Sequence, residues 1–172
     1  ITMFQAAGGA LFLTLFAARL PVSAPGIGRL VLAATIAAAV LVLAHFGLEG
    51  ARLAGDFAGL MDPQMQQLAW QGASGAAMRL RLAGLLLVMV GLVTTRQPRE
   101  AGTVRQRVSG LLCVVGAATL VAAFTRIGHT VDHPHRAVLA GLLVAHLASV
   151  TFWFGAIWPL RQAVTLDTPA AA

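Results

Sequence analysis

The sequence predicts an all-α bundle of membrane-spanning helices, and three observations carry that prediction. Of 172 residues, 58% are hydrophobic and 10% charged, with a mean hydropathy of +0.82. Soluble domains run at roughly 45–50% apolar and about 25% charged. The apolar residues gather into five long blocks, and the twelve basic residues, all arginines, are spread singly between them. This excludes an ordinary cytoplasmic enzyme, a disordered tail and a collagen-like repeat. The formal charge of +6 does not indicate a nucleic-acid partner, because no Arg-rich face exists to track a phosphate backbone. Lys, Tyr and Asn are absent, which reads as coding bias in a chain rich in Ala, Gly, Leu and Arg. The single Cys113 lies in an apolar run and rules out both a disulfide framework and a Cys-based zinc site.

A crossing helix needs about 20 apolar residues to traverse a hydrocarbon core about 30 Å thick. The expected spans are residues 3–18, closed by Arg19, Pro21 and Pro25, then 30–48, 80–95, 108–124 and 137–160. The first is short and the chain opens on Ile1, so part of that helix or a preceding segment is expected to be missing. A cleaved signal peptide is the alternative, but no basic stretch precedes the block and no clear small-residue cleavage site follows. Residues 1–162 form one expected transmembrane domain, and the Ala-rich tail 163–172 is expected to be disordered.

Orientation follows from the arginines. The connection 96–107 carries Arg96, Arg99, Arg105 and Arg107 against Glu100, and Arg19, Arg29 and Arg161 fall on the same side if there are five spans. That side is expected to be cytoplasmic. Segments 49–79 and 127–136 then lie outside, with four of the six acidic residues and three of the five histidines.

The outer segment between the second and third spans is long for a membrane connection. Asp62 before Pro63 reads as a helix start, Asp as N-cap and Pro in the first turn. Over 63–78, Met65, Leu68, Ala69 and Trp70 alternate with glutamines and glycines, which predicts a short amphipathic helix lying at the interface. Arg79 and Arg81 are expected to mark the start of the third span. Gly72 and Gly75 read as close-packing points.

The densest polar stretch is Arg126 to Arg136, with His129, Asp132, His133 and His135, followed by His146. Imidazole is the commonest ligand for copper and zinc, and a nearby Asp can ligate or orient a ring. His133 and His135 flank a proline and could reach one ion from a turn. A solvated loop that happens to hold histidines is the plainer alternative. His146 should lie about 15 Å into the fifth span, where ionisable groups usually face a bundle interior or cavity. His45, with Glu49 one turn later on the same helical face, could coordinate a metal, pass a proton or form an interfacial hydrogen-bonded pair. Met61 and Met65 offer soft thioethers suited to Cu(I), although methionine more commonly fills apolar gaps. Nothing matches a phosphate-binding loop or a Ser-His-Asp or Cys-His arrangement. No enzyme activity is expected, and no loop is large enough for a nucleotide-driven pump.

The last block, His146-Leu-Ala-Ser-Val-Thr-Phe-Trp153-Phe-Gly155-Ala-Ile-Trp158-Pro-Leu160, resembles the "LH-x-x-A-x-x-x-W-x-G-G-L-x-x-L" span of the CopD family of copper-resistance membrane proteins. Gly128-His129 is similar to the Gly-His closing the preceding span in that family. Ala54-Gly-Asp56 through Leu60-Met-Asp62-Pro63, then Gly75 to Arg81, resembles its outer loop, and Gly8-Gly9-Ala10-Leu11-Phe12 its first-span glycine motif. The chain departs from the family in having five expected spans against about eight, and Ala156 where a second glycine is usual. The resemblance implies copper handling at the inner membrane beside a periplasmic copper-binding partner, with His129, His146 and Trp153 as the residues carried over. Two other functions fit the residues. One is a haem-b cytochrome with His45 and His146 as axial ligands. The other is a non-catalytic accessory subunit packed against a larger membrane complex through Ala/Gly-rich helices.

Overall fold

The computed structural model describes residues 1–94, 103–127 and 134–167, and among these there are helices and turns but no strand. Helix α1 (Thr2–Phe16) ends in a 3-10 turn over Ala17–Arg19. Helix α2 (Ala24–Gly47) starts with a proline in its first turn, where the missing N–H costs no helical bond. It therefore begins six residues before the expected span. Two short helices follow, α3 (Glu49–Ala54) and α4 (Pro63–Gln71), with a 3-10 turn at Phe57–Leu60 between them. The long helices α5 (Ala73–Thr94), α6 (Val104–Ala122, extended by a 3-10 turn to Arg126) and α7 (Arg136–Leu166) complete the chain.

Among the described residues four segments are long and apolar enough to cross a membrane: Ala24–Ala54, Ala73–Thr94, Val104–Arg126 and Arg136–Leu166. With 15 residues, α1 is about 22 Å long, short of the roughly 30 Å core. The five expected spans thus become four helices of crossing length and one shorter helix. That short helix is the centre of the bundle, packed against α7, α2, α6 and α5. Its small residues make this possible: Ala6, Ala7, Gly8, Gly9 and Ala10 are all buried, so neighbouring backbones approach closely.

The same device holds the long helices together. Where α5 crosses α6, a Cβ built on Gly84 would stand 2.8 Å from the Gly116 carbonyl oxygen, and one on Gly116 would stand 2.7 Å from that of Gly84. Further along this crossing the buried Ser109 hydroxyl donates to the Gly91 carbonyl at 2.6 Å. At the other end of α1 the buried face of α7 is Thr151, Gly155, Pro159 and Ala163, four residues apart in each step.

The outer segment folds by local chemistry. Asp62 accepts hydrogen bonds from the Gln64 and Met65 N–H groups, the cap that its place before Pro63 predicts. Asp56 likewise accepts from Gly59 N–H at 3.2 Å. Gly55 closes α3 with φ of 80°, a left-handed conformation that glycine adopts without steric cost. Gln66 Nε2 donates to the Gly47 and Leu60 carbonyls at 3.0 and 3.1 Å, tying α4 back to the end of α2.

Two boundaries differ from expectation. The amphipathic helix stops at Gln71, and α5 begins at Ala73 instead of residue 80. A Cβ on Gly75 would stand 2.6 Å from the Trp70 carbonyl carbon, so the corner requires a residue without a side chain. Arg79 and Arg81 consequently sit inside α5, not at its start. Each is accommodated by an aromatic ring: Arg79 lies 5.0 Å from the Trp70 centroid and donates to the Trp70 carbonyl, and Arg81 lies 5.1 Å from the Phe124 centroid. At the far end α7 continues to Leu166, beyond the expected domain boundary at 162. Asp167 then accepts from the Val22 and Ser23 N–H groups at 2.9 and 3.1 Å. Residues 168–172 of the expected tail lie outside the described residues.

Candidate functional site

The best-formed polar site lies where α2, α3 and α5 meet. It is a cleft of about 30 Å³ lined by Val42, His45, Phe46, Glu49, Ser74, Ala77, Met78, Arg81 and Ile127. A space of about 10–15 Å³ is enough to hold a water, so this cleft admits a water or an ion.

Each polar side chain is placed by a distinct local feature. His45 stands in the last turn of α2. Leu48 breaks the regular helix, and Glu49 opens α3 one turn later. The expected His45–Glu49 neighbourhood therefore exists, across a junction and not along one continuous helix. Glu49 is 6% exposed. A buried carboxylate is tolerated only when paired and hydrogen-bonded, and Glu49 is both. The Arg52 guanidinium donates to it from Nε at 2.9 Å and Nη2 at 2.7 Å, and the Ser74 hydroxyl donates to Glu49 Oε1. Ser74 can do this because α5 starts early, a consequence of the break at Gly72.

Arg81 completes the wall. Its Nε is buried without a hydrogen-bond partner, so the Phe124 face is the compensation visible for its charge. Met78, one turn before it, is 4% exposed and lines the same cleft. Sequence reasoning noted Arg81 only as marking the start of a span and did not single out Ser74 or Met78 as site residues. The signal available was their spacing, 74, 78 and 81, which is one face of a helix.

The other expected ligands are distributed differently. His129 and His133, with Asp132, lie outside the described residues. Ile127, immediately before Gly128-His129, lines the cleft. His135 precedes the first turn of α7. Met61 is 90% exposed, and neither it nor Met65 lines the cleft. Among the described residues there is no group of three or more His, Cys, Asp or Glu side chains that could hold a metal ion.

His146 departs most from expectation. It is exposed, on the side of α7 away from the bundle, and from Arg136 to Val150 no residue of that helix is buried. The bundle contacts of α7 come from its other half, where Thr151, Gly155, Pro159 and Ala163 meet their neighbours. His146 does not share a cleft with His45, and the His45 cleft is far too small for a porphyrin. The pair expected for haem is not brought together.

The class that this fold defines is an all-α helical bundle with four helices of membrane-crossing length and composition. No family model, curated protein or solved structure matches the chain. The likeness to the CopD family rests on the motifs quoted above.

Proposed function

We propose that this is a polytopic membrane protein that handles copper, with the His45–Met78–Glu49 cleft as the point where the ion is received. The observation that carries this reading is that a histidine, a methionine and a glutamate line one ion-sized space. Neutral nitrogen and thioether donors suit Cu(I), the softer and less charged state. That choice matters here because the Arg81 guanidinium in the same wall opposes a divalent cation. His129, two residues beyond Ile127, is the donor that the motif resemblance adds. A periplasmic copper-binding protein is the partner this reading implies, and the bacterial inner membrane its location.

The test is Cu(I) titration of the purified protein in nanodiscs against a chromogenic chelator, with elemental analysis of the product. Stoichiometric copper that is lost in His45→Ala/Met78→Leu and reduced in His129→Ala supports the proposal. Copper binding unchanged in both variants overturns it. A visible spectrum of the same sample reads out the haem alternative through its Soret band.

A second reading has its own observation. Only 6% of the most apolar stretch of α7 is buried, and its outer half carries His146 and Ser149 away from the bundle. Ionisable groups at membrane depth usually face protein or a water-filled cavity. This favours an accessory subunit whose α7 is covered by a larger membrane complex. Co-purification of a stoichiometric partner from native membranes, lost on His146→Leu, tests it.

A further inference from the structure

A second, roomier cleft lies at the opposite, arginine-bearing end and plays no part in either reading above. It has a volume of about 610 Å³ and opens between α1, α2, α5 and α6. Its walls include Ala10, Leu13, Leu92 and Cys113, and Arg29 stands among its lining residues. Among the described residues no acidic side chain lines it. Arg29 is exposed, and no described residue pairs with its guanidinium. Asp167, which follows α7 and packs at the start of α2, is engaged by the Val22 and Ser23 N–H donors.

We infer that this cleft binds one anionic phospholipid, its phosphate on Arg29 and an acyl chain along the Ala10–Leu13–Leu92 wall. Three features support that occupant. The volume falls in the range of small-molecule sites, roughly 300–1,000 Å³. The walls are largely apolar, and among the described residues Arg29 is the lining cation and has no ion-pair partner, the complement of an anionic amphiphile. Basic pockets between transmembrane helices are recurrent sites for anionic head groups. Arg29 lies five residues past Ala24, about 7.5 Å along α2, a depth from which a long arginine side chain reaches a head-group phosphate.

The experiment uses the full chain in nanodiscs of phosphatidylcholine and phosphatidylglycerol at 3:1, with native mass spectrometry counting the lipids retained on release. Wild type is expected to retain one phosphatidylglycerol, enriched about fivefold over its share of the bilayer, the factor one arginine near an anionic surface supplies. Arg29→Gln is expected to abolish that enrichment while total retained lipid persists. Gly28→Leu fills the cleft, since a Cβ at Gly28 meets nothing closer than Leu13 Cδ1 at 4.0 Å, and it is expected to lower retention of both lipids. An enrichment unchanged in Arg29→Gln overturns the inference. So does wild-type protein that releases without lipid, or with a second protein chain in lipid's place. Should Gly28→Leu fail to fold, the Arg29→Gln arm decides the question by itself.

Discussion

Gly8 of α1 and Gly155 of α7 lie back to back. A Cβ placed on Gly155 would stand 2.5 Å from the Gly8 Cα, and one placed on Gly8 would stand 2.8 Å from the Gly155 Cα. Both neighbours are backbone, which cannot swing aside. Since α7 makes most of its bundle contacts with α1, this single crossing attaches the longest helix to the rest. Gly155→Val is therefore expected to destabilise by about 1–3 kcal/mol, the usual range for overpacking, and to free α7 for proteolysis. Thermal unfolding in detergent with limited proteolysis checks both. An unchanged midpoint would show that α7 is held elsewhere.

That crossing also shows what was legible beforehand. Gly8 and Gly155 stood in two separately noted motifs, yet nothing in a linear sequence pairs a residue near position 8 with one near 155. The helices themselves were readable, because apolar block length and caps such as Asp62 are local properties. Helix beginnings were less so: Arg79 and Arg81 looked like the edge of a span, and only the rings of Trp70 and Phe124 make them tolerable inside one. In the candidate site His45 and Glu49 were legible from their spacing. Ser74 was not, because its role depends on the backbone break at Gly72 that starts α5 early. His146 was misplaced for a related reason. Depth in a span can be counted from sequence, but which side of the helix meets the bundle depends on the Gly8–Gly155 contact.

The Ser109–Gly91 hydrogen bond joins α6 to α5 within the apolar layer, at 2.6 Å and with Ser109 1% exposed. Hydrogen bonds between membrane helices average about 0.6 kcal/mol and reach about 1.7. Ser109→Ala is expected to cost within that range. Gly91→Ala should cost more, since its Cβ would meet Cys113 Sγ at 2.6 Å and the Ser109 carbonyl oxygen at 2.9 Å. Unfolding of the two variants side by side should give that order, and the reverse order would contradict the packing described.

At the Glu49 site, removing the cation should be worse than removing both charges. Arg52 is largely exposed whereas the Glu49 side chain is 7% exposed, so Arg52→Ala strands a buried carboxylate with only Ser74 to donate to it. Leaving such a group uncompensated costs about 1–3 kcal/mol or more. Arg52→Ala/Glu49→Gln removes that charge and is expected to recover part of the loss. Equilibrium unfolding of wild type, single and double variants tests this, and a double variant less stable than Arg52→Ala would refute it.

The clamp between Asp167, after α7, and the start of α2 should respond to acid. The Ser23 hydroxyl facing Asp167 and the N–H donors of Val22 and Ser23 hold its carboxyl below the ordinary carboxylate value. The hydroxyl does not complete a hydrogen bond of good geometry, so the two N–H donors are the firmer cause. A depressed carboxylate stabilises the fold fully above its unfolded pKa of about 3.9, and the contribution is lost as pH falls through the lower folded value. Wild type and Asp167→Asn are thus expected to differ in melting temperature at pH 6, and the gap is expected to close progressively as pH falls below the unfolded carboxylate value. A gap that persists in acid would mean that the side chain acts through shape, not charge.

The last expectation concerns the uncovered side of α7. Leu142 is 63% and Trp153 76% exposed, and His146 and Ser149 are exposed between them. Spaced by three or four residues, these four lie along one helical stripe. A stripe facing lipid has no use for an imidazole, and one facing protein does, because polar side chains between membrane helices hydrogen-bond across the interface. The two cases separate by chemistry at a single position. In a Cys113→Ala background, Ser149→Cys should be shielded from a lipid-soluble maleimide in native membranes and become reactive once the protein is purified in detergent. Equal labelling in both settings would place the stripe in lipid and remove the support for a covering subunit. Shielding that survives His146→Leu would show that the apolar contacts of Leu142 and Trp153 hold the partner without the histidine.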